Sequence, residues 1–157
     1  MRTRWSAPDL VGLLARAVLA GVLLVAGWVK ITDLTGSTQN VLAYELFSYD
    51  LARFIGVMLP IVEIALGLLL LVGLLTRWAA AATGVLMIVF IGGIISAWAR
   101  GLSIDCGCFG SGGPVDPDET TYLLDILRDI AFLALAAWLV IRPRTPFSLD
   151  AQLQKGP

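Results

Sequence analysis

The sequence predicts an all-α membrane protein, a bundle of four transmembrane helices with both termini in the cytoplasm and a Cys-Gly-Cys loop on the extracytoplasmic side. Three observations carry this. Hydrophobic residues make up 58% of the 157 positions, only 15% are charged, and mean hydropathy is +0.86. A soluble domain carries about 25% charged residues and could not bury so much apolar surface at this size. The apolar residues gather into four runs, each close to the roughly 20 helical residues that cross about 30 Å of hydrocarbon. Lys and Arg fall mainly on one side of those runs.

The runs are Leu10 to Val29, Phe54 to Leu75, Trp78 to Trp98 and Tyr122 to Ile141. Helices are the expected state, because backbone groups in lipid must be satisfied within the segment. Arg142-Pro143 ends the fourth run, since proline cannot continue a helix. The first run follows Arg2 and Arg4, as in a signal peptide, but is too long for an apolar signal core and is interrupted by Arg16, so it reads as retained. Residues 1–142 thus form one membrane domain, and 143–157 a loose polar cytoplasmic tail.

The connections set the topology. Thr76-Arg77 makes a tight turn between the second and third helices. Between Lys30 and Arg53, Val41, Leu42, Leu46, Phe47, Leu51 and Phe54 recur at near-helical spacing, which predicts a short interfacial helix. Arg2, Arg4, Arg77, Arg142, Arg144 and Lys155 fall on one side, and Lys30, Arg53 and Arg100 on the other. The positive-inside rule puts the richer side in the cytoplasm. Trp28, Trp78 and Trp98 are expected as interfacial anchors, and Ala17 with Gly21 and Ala80 with Gly84 as close-packing pairs. A net charge of −1 gives no footprint for nucleic acid, and the lipid bilayer is the first partner.

The chemistry is concentrated in Asp105-Cys106-Gly107-Cys108-Phe109-Gly110. The chain has no His, so the commonest general base and metal ligand is missing. Two cysteines one residue apart can bridge only if the backbone bends to bring the Cα atoms within about 7 Å, and Gly107 supplies that freedom. So small a ring closes almost no chain, stabilises little, and suits electron exchange. Cys106 and Cys108 are therefore the candidate catalytic pair, supported by Asp105, Gly107, Phe109 and Gly110. Unpaired structural cysteines, or thiolate ligands for Cu(I) or Zn(II), are the other readings. Beside Asp105, Cys106 is expected to have the less favoured thiolate.

Arg16, Glu63, Asp125, Arg128 and Asp129 lie at membrane depth, where charges face the bundle interior. Asp125, Arg128 and Asp129 share one helix face at i, i+3 and i+4. By depth, Glu63 is expected to pair with Arg128, and Arg16 to snorkel to the inner interface. This cluster is either a structural ion-pair network or a polar pocket for a quinone head group or a proton relay.

These residues resemble the DoxX-like superfamily and, within it, the methylamine-utilisation MauE branch. The likeness lies in Leu59-Pro60-Ile61-Val62-Glu63-Ile64-Ala65-Leu66-Gly67-Leu68-Leu69-Leu70, in Gly27-Trp28-Val29-Lys30-Ile31 with its Gly-x-x-Lys pattern, in Arg16, and most specifically in Asp105-Cys106-Gly107-Cys108-Phe109-Gly110. It covers roughly Leu10 to Ile141. It implies a four-helix membrane protein tied to thiol–disulfide chemistry. In the MauE branch the implied role is to help a thioredoxin-like partner mature a disulfide-rich methylamine dehydrogenase subunit. Three functions follow as expectations: disulfide exchange with an exported thioredoxin-like partner through Cys106 and Cys108, a non-catalytic assembly subunit of a membrane complex, or a quinone-linked thiol oxidase.

Overall fold

The computed structural model describes residues 6–109, 112–143 and 145–153. Gly110, Arg2, Arg4, Arg144 and Lys155 lie outside the described residues. The chain is mostly helical, because the apolar runs have no polar partner for their backbone other than themselves. Helix α1 (Ala7–Thr32) starts at a capping box, in which Ser6 N donates to Asp9 Oδ2 at 3.0 Å. Helix α2 (Leu34–Ala43) follows directly, then α3 (Tyr49–Val72), α4 (Thr76–Ala99) and α5 (Tyr122–Ile141). A short helix, α6 (Leu149–Leu153), closes the described chain. Helices α1, α3 and α4 are each long and apolar enough to cross a membrane. Helix α5 has the expected length, 20 residues, but carries Asp125, Arg128 and Asp129 in its first two turns.

α1 packs chiefly on α3, and α4 chiefly on α5; the α3–α4 interface is sparser. Leu19, Ala20 and Leu23 of α1 meet Leu66 and Leu70 of α3, Ala79 and Ala80 of α4, and Ala136 and Leu139 of α5 in one core. Gly27 explains the close approach of α1 to α3. A Cβ there would meet Ile64 Cγ1 at 2.7 Å and Pro60 O at 3.0 Å. Ala80 and Gly84 are buried against α5 as expected, with Gly84 facing Leu133 and Ala136. Ala17 and Gly21 are exposed on α1 instead, and nothing lies within 4 Å of a Cβ at Gly21. Trp28, Trp78 and Trp98 all face outward near helix ends.

Four local expectations are corrected. The turn before α4 is Gly73–Leu75, not Thr76-Arg77. Gly73 and Leu75 both take positive φ, and Asp150 Oδ1 and Oδ2 accept from Leu75 N and Thr76 N at 2.9 and 2.8 Å. The segment 145–153 is therefore docked rather than loose. Arg16 does reach toward the end of the bundle where α3 stops, but its head is buried there rather than hydrated: it is 4% exposed, and its guanidinium donates to Thr145 Oγ1 (2.7 Å) and Phe147 O (3.2 Å). Finally, α2 sits earlier than the apolar spacing suggested and buries Ser37, Thr38 and Asn40. Its inner face is polar because it lies on backbone that needs partners, as where Ser37 Oγ donates to Gly56 O at 2.8 Å.

Candidate functional site

The cysteine loop is a small antiparallel ribbon, β1 (Ile104–Asp105) with β2 (Gly113–Pro114), in which Ile104 pairs with Pro114 and Asp105 with Gly113. Tyr122, at the start of α5, clamps its base. Its hydroxyl donates to Leu102 O (2.5 Å) and accepts from Ile104 N (3.0 Å). Cys106, Gly107 and Cys108 form the tip, folded back against the helices. Asn40 of α2 holds that tip from the side, its amide donating to Gly36 O and Gly112 O. Tyr44 OH donates to Cys106 O at 3.0 Å. Burial keeps the Tyr44 phenol well above its ordinary range, so it stays a donor.

Gly107 is required twice over. Its φ is +66°, and a Cβ would stand 2.9 to 3.0 Å from three Asn40 atoms. Gly107→Ala is expected to destabilise the protein by about 1–3 kcal/mol, the usual size for a strained left-handed residue, before the clash is added. Denaturant unfolding in detergent measures this, and an unchanged midpoint would contradict the geometry.

The charged groups converge beneath the tip. Lys30, near the end of α1, is 4% exposed and donates to Glu63 Oε1 (2.7 Å) and to Cys108 O (2.9 Å). Arg128 donates to Asp125 Oδ1 (2.9 Å), to Asp129 Oδ1 (3.2 Å) and to Cys106 Sγ (3.6 Å). Its guanidinium also lies 5.2 Å from the Phe109 ring centroid, a cation–π distance. The expected Glu63–Arg128 pair is thus replaced by two: Glu63 with Lys30, and Arg128 with its own helix neighbours. The Lys30 side chain is long enough to reach down from the helix end, which depth counting along the helices ignores. Arg16 stands apart, in the other half of α1 from Lys30.

Cys106 and Cys108 are both free thiols, partly buried. The hydrogen bond from the Cys108 thiol holds Cys106 below the ordinary thiol range, with further help from the Cys108 backbone N–H and Arg128, against burial and Asp125. Giving that bond, together with burial and the nearby Cys106 and Asp129 charges, pushes Cys108 up. Cys106 is the favoured thiolate, the reverse of the expectation from Asp105 alone, because Arg128 and the Cys108 donors face its sulfur. Donor atoms of Asp105, Cys106 and Asp125 lie within 4.8 Å of one another. Arg128 already serves two of the three as their cation.

Glu63 Oε2 and Asp129 Oδ2 are buried without a hydrogen-bond partner among the described residues. Both residues line a void of about 20 Å³ together with Cys108, Phe109 and Arg128. That space admits about one water molecule and no quinone ring. Lys30 was missed as a site residue although its Gly-x-x-Lys setting stood out; as a charge at a helix end it read only as a topology signal. Asn40 and Tyr44 carried no signal of their own.

The family model of the methylamine utilisation protein MauE matches residues 8–142, all of α1 to α5 except the first residue of α1. The methylamine utilization protein MauE of Paracoccus denitrificans is 38% identical over 109 residues, covering 68% of this chain and 55% of that protein. The match therefore spans a little over half the length of the relative. No solved structure matches the chain. With its apolar helices and a family match running from the first helix to the last long one, the chain is a membrane protein that belongs to the MauE family.

Proposed function

We propose that the chain is a four-span accessory protein of the bacterial plasma membrane, DoxX-like in the wider sense, that exchanges disulfides through Cys106 and Cys108 with an exported thioredoxin-like partner, in support of methylamine utilisation. The observation that carries this is the Arg128 Nη2 to Cys106 Sγ contact at 3.6 Å, with a second free thiol, Cys108, two residues on in the same loop. A thiolate stabilised by a cation and a neighbouring thiol is the attacking form in exchange; the neighbour then resolves the mixed disulfide. The fourth span is supported by α5. Its Asp125 and Asp129 point inward, while Leu123, Leu124, Leu127 and Ile130 present an apolar outer face. The excess of Lys and Arg at the other end supports an extracytoplasmic loop and cytoplasmic termini.

Trapping tests this. Cys108→Ser is expected to accumulate a mixed disulfide through Cys106 with an exported protein, seen as a reductant-sensitive adduct on gels. Cys106→Ser is expected to give none. No adduct from either variant would count against exchange. Normal growth on methylamine with both cysteines replaced would favour an assembly subunit.

A further inference from the structure

The cysteine loop also walls a larger cavity, of about 440 Å³, enclosed by α2, α3 and α4. It sits where the sparse α3–α4 interface leaves room. Its other walls are Val41 and Tyr44, Ile55 and Leu59, Val89 and Phe90. Cys106, Gly107 and Cys108 line it directly, as does Lys30. The size falls within the roughly 300–1,000 Å³ of small-molecule sites.

Polar groups in the lining are engaged elsewhere. Ser37 bonds Gly56 O, and Tyr44 bonds Cys106 O. Lys30 spends two of its three N–H donors on Glu63 and Cys108 O. Water therefore finds few partners, and an apolar guest is favoured. The rim includes Leu46, Phe47 and Val89, all exposed, and Val89 lies midway along α4. In a bilayer such a mouth is entered from the lipid phase. Among the described residues of the wall, the reactive element is a dithiol, which can release two electrons and two protons.

We propose that this cavity binds a lipid-soluble quinone, which Cys106 and Cys108 reduce; the proposal rests on the thiol–disulfide reading above and names its electron acceptor. The Cys106 thiolate adds to the quinone ring. Cys108 then loses its proton and attacks the Cys106 sulfur. An S–S bond forms, the C–S bond breaks, and its electron pair remains on the ring. The proton released when the Cys106 thiolate formed and the proton lost by Cys108 end on the two quinone oxygens, giving the disulfide and a quinol. Lys30 offers its remaining N–H where charge develops on the nearer oxygen. The small void beside Glu63 and Asp129 plays no part in binding the ring.

The test uses the full chain, reduced, in lipid nanodiscs, with decylubiquinone as the probe. Wild type is expected to form one quinol per chain while losing two thiols. Gly92 lines the cavity, and a Cβ there meets nothing within 4 Å. Gly92→Phe and, separately, Val89→Trp are expected to slow quinol formation about a hundredfold, the penalty of a displaced reactant. Their thiols are expected to react with dithionitrobenzoate as in wild type. Thiols that react normally in a wild-type protein that reduces no quinone would overturn this proposal and leave disulfide exchange standing. Quinol formation undiminished in both filled variants would overturn it as well. Thiols inert to dithionitrobenzoate in wild type would overturn the underlying reading instead.

Discussion

Lys30→Met is expected to destabilise the protein by about 3–5 kcal/mol, the usual result of removing one partner from a buried ion pair. Glu63 is 1% exposed, and its Oε2 already lacks a partner. Losing Lys30 strands Oε1 too. Desolvation of the whole carboxylate is then uncompensated in a bilayer, where water cannot easily follow. The effect belongs to the pair rather than to lysine. Adding Glu63→Gln to Lys30→Met is therefore expected to restore most of the lost stability, because replacing both members of a buried pair with neutral groups is close to neutral. Lys30 has a second duty that the double variant does not restore. Its ammonium also holds Cys108 O. The double variant is expected to unfold near the wild-type denaturant midpoint, yet to resolve the trapped mixed disulfide more slowly. A Lys30→Met variant within about 1 kcal/mol of wild type would show that the pair contributes little.

The long helices were legible because hydrophobic runs of this length have one structural solution in lipid. α5 falls on Tyr122–Ile141 as read from the sequence, and the Asp125–Arg128–Asp129 face follows from helical spacing alone. Boundaries shifted where polar residues sit within a helix. α3 begins at Tyr49 rather than Phe54 because Tyr49, Asp50 and Arg53 are compatible with a first turn outside the apolar core. The site was half legible. The cysteines, the glycine between them and Arg128 stood out. Lys30 did not, since its side-chain reach is invisible to residue counting. Docking of 145–153 was hidden for another reason. It rests on a few hydrogen bonds between distant residues: Arg16 donates to Thr145 and Phe147 O, Asp150 N donates to Gly73 O, and the Asp150 carboxylate accepts from Leu75 N and Thr76 N, none of which leaves a periodic trace. The cavity depends on how α2, α3 and α4 are spaced, and contacts between distant residues, such as Gly56 against Thr38, leave no local pattern in the sequence.

Arg128→Met is expected to change the pH dependence of Cys106 in a way that inverts between acid and alkaline conditions. In a Cys108→Ser background the serine hydroxyl keeps a donor on Cys106, so the arginine is tested separately. Arg128 helps hold the Cys106 thiol below its ordinary range, so removing it raises that thiol, while the backbone N–H of residue 108 remains as a donor. In acid the thiolate fraction falls, but the more basic thiolate is the better nucleophile, at a Brønsted slope of about 0.4–0.5. Alkylation by iodoacetamide is therefore expected to slow a few-fold in acid and to quicken in alkali, with the curves crossing between. A mere loosening of the loop would raise the rate at every pH and produce no crossing. Arg128→Lys keeps the charge on a shorter, single-headed group. It is expected to fall between the two, and it guards against misfolding from leaving Asp125 and Asp129 unpaired. Parallel profiles for wild type and both variants would remove Arg128 from the chemistry and leave it as the structural clamp of α5.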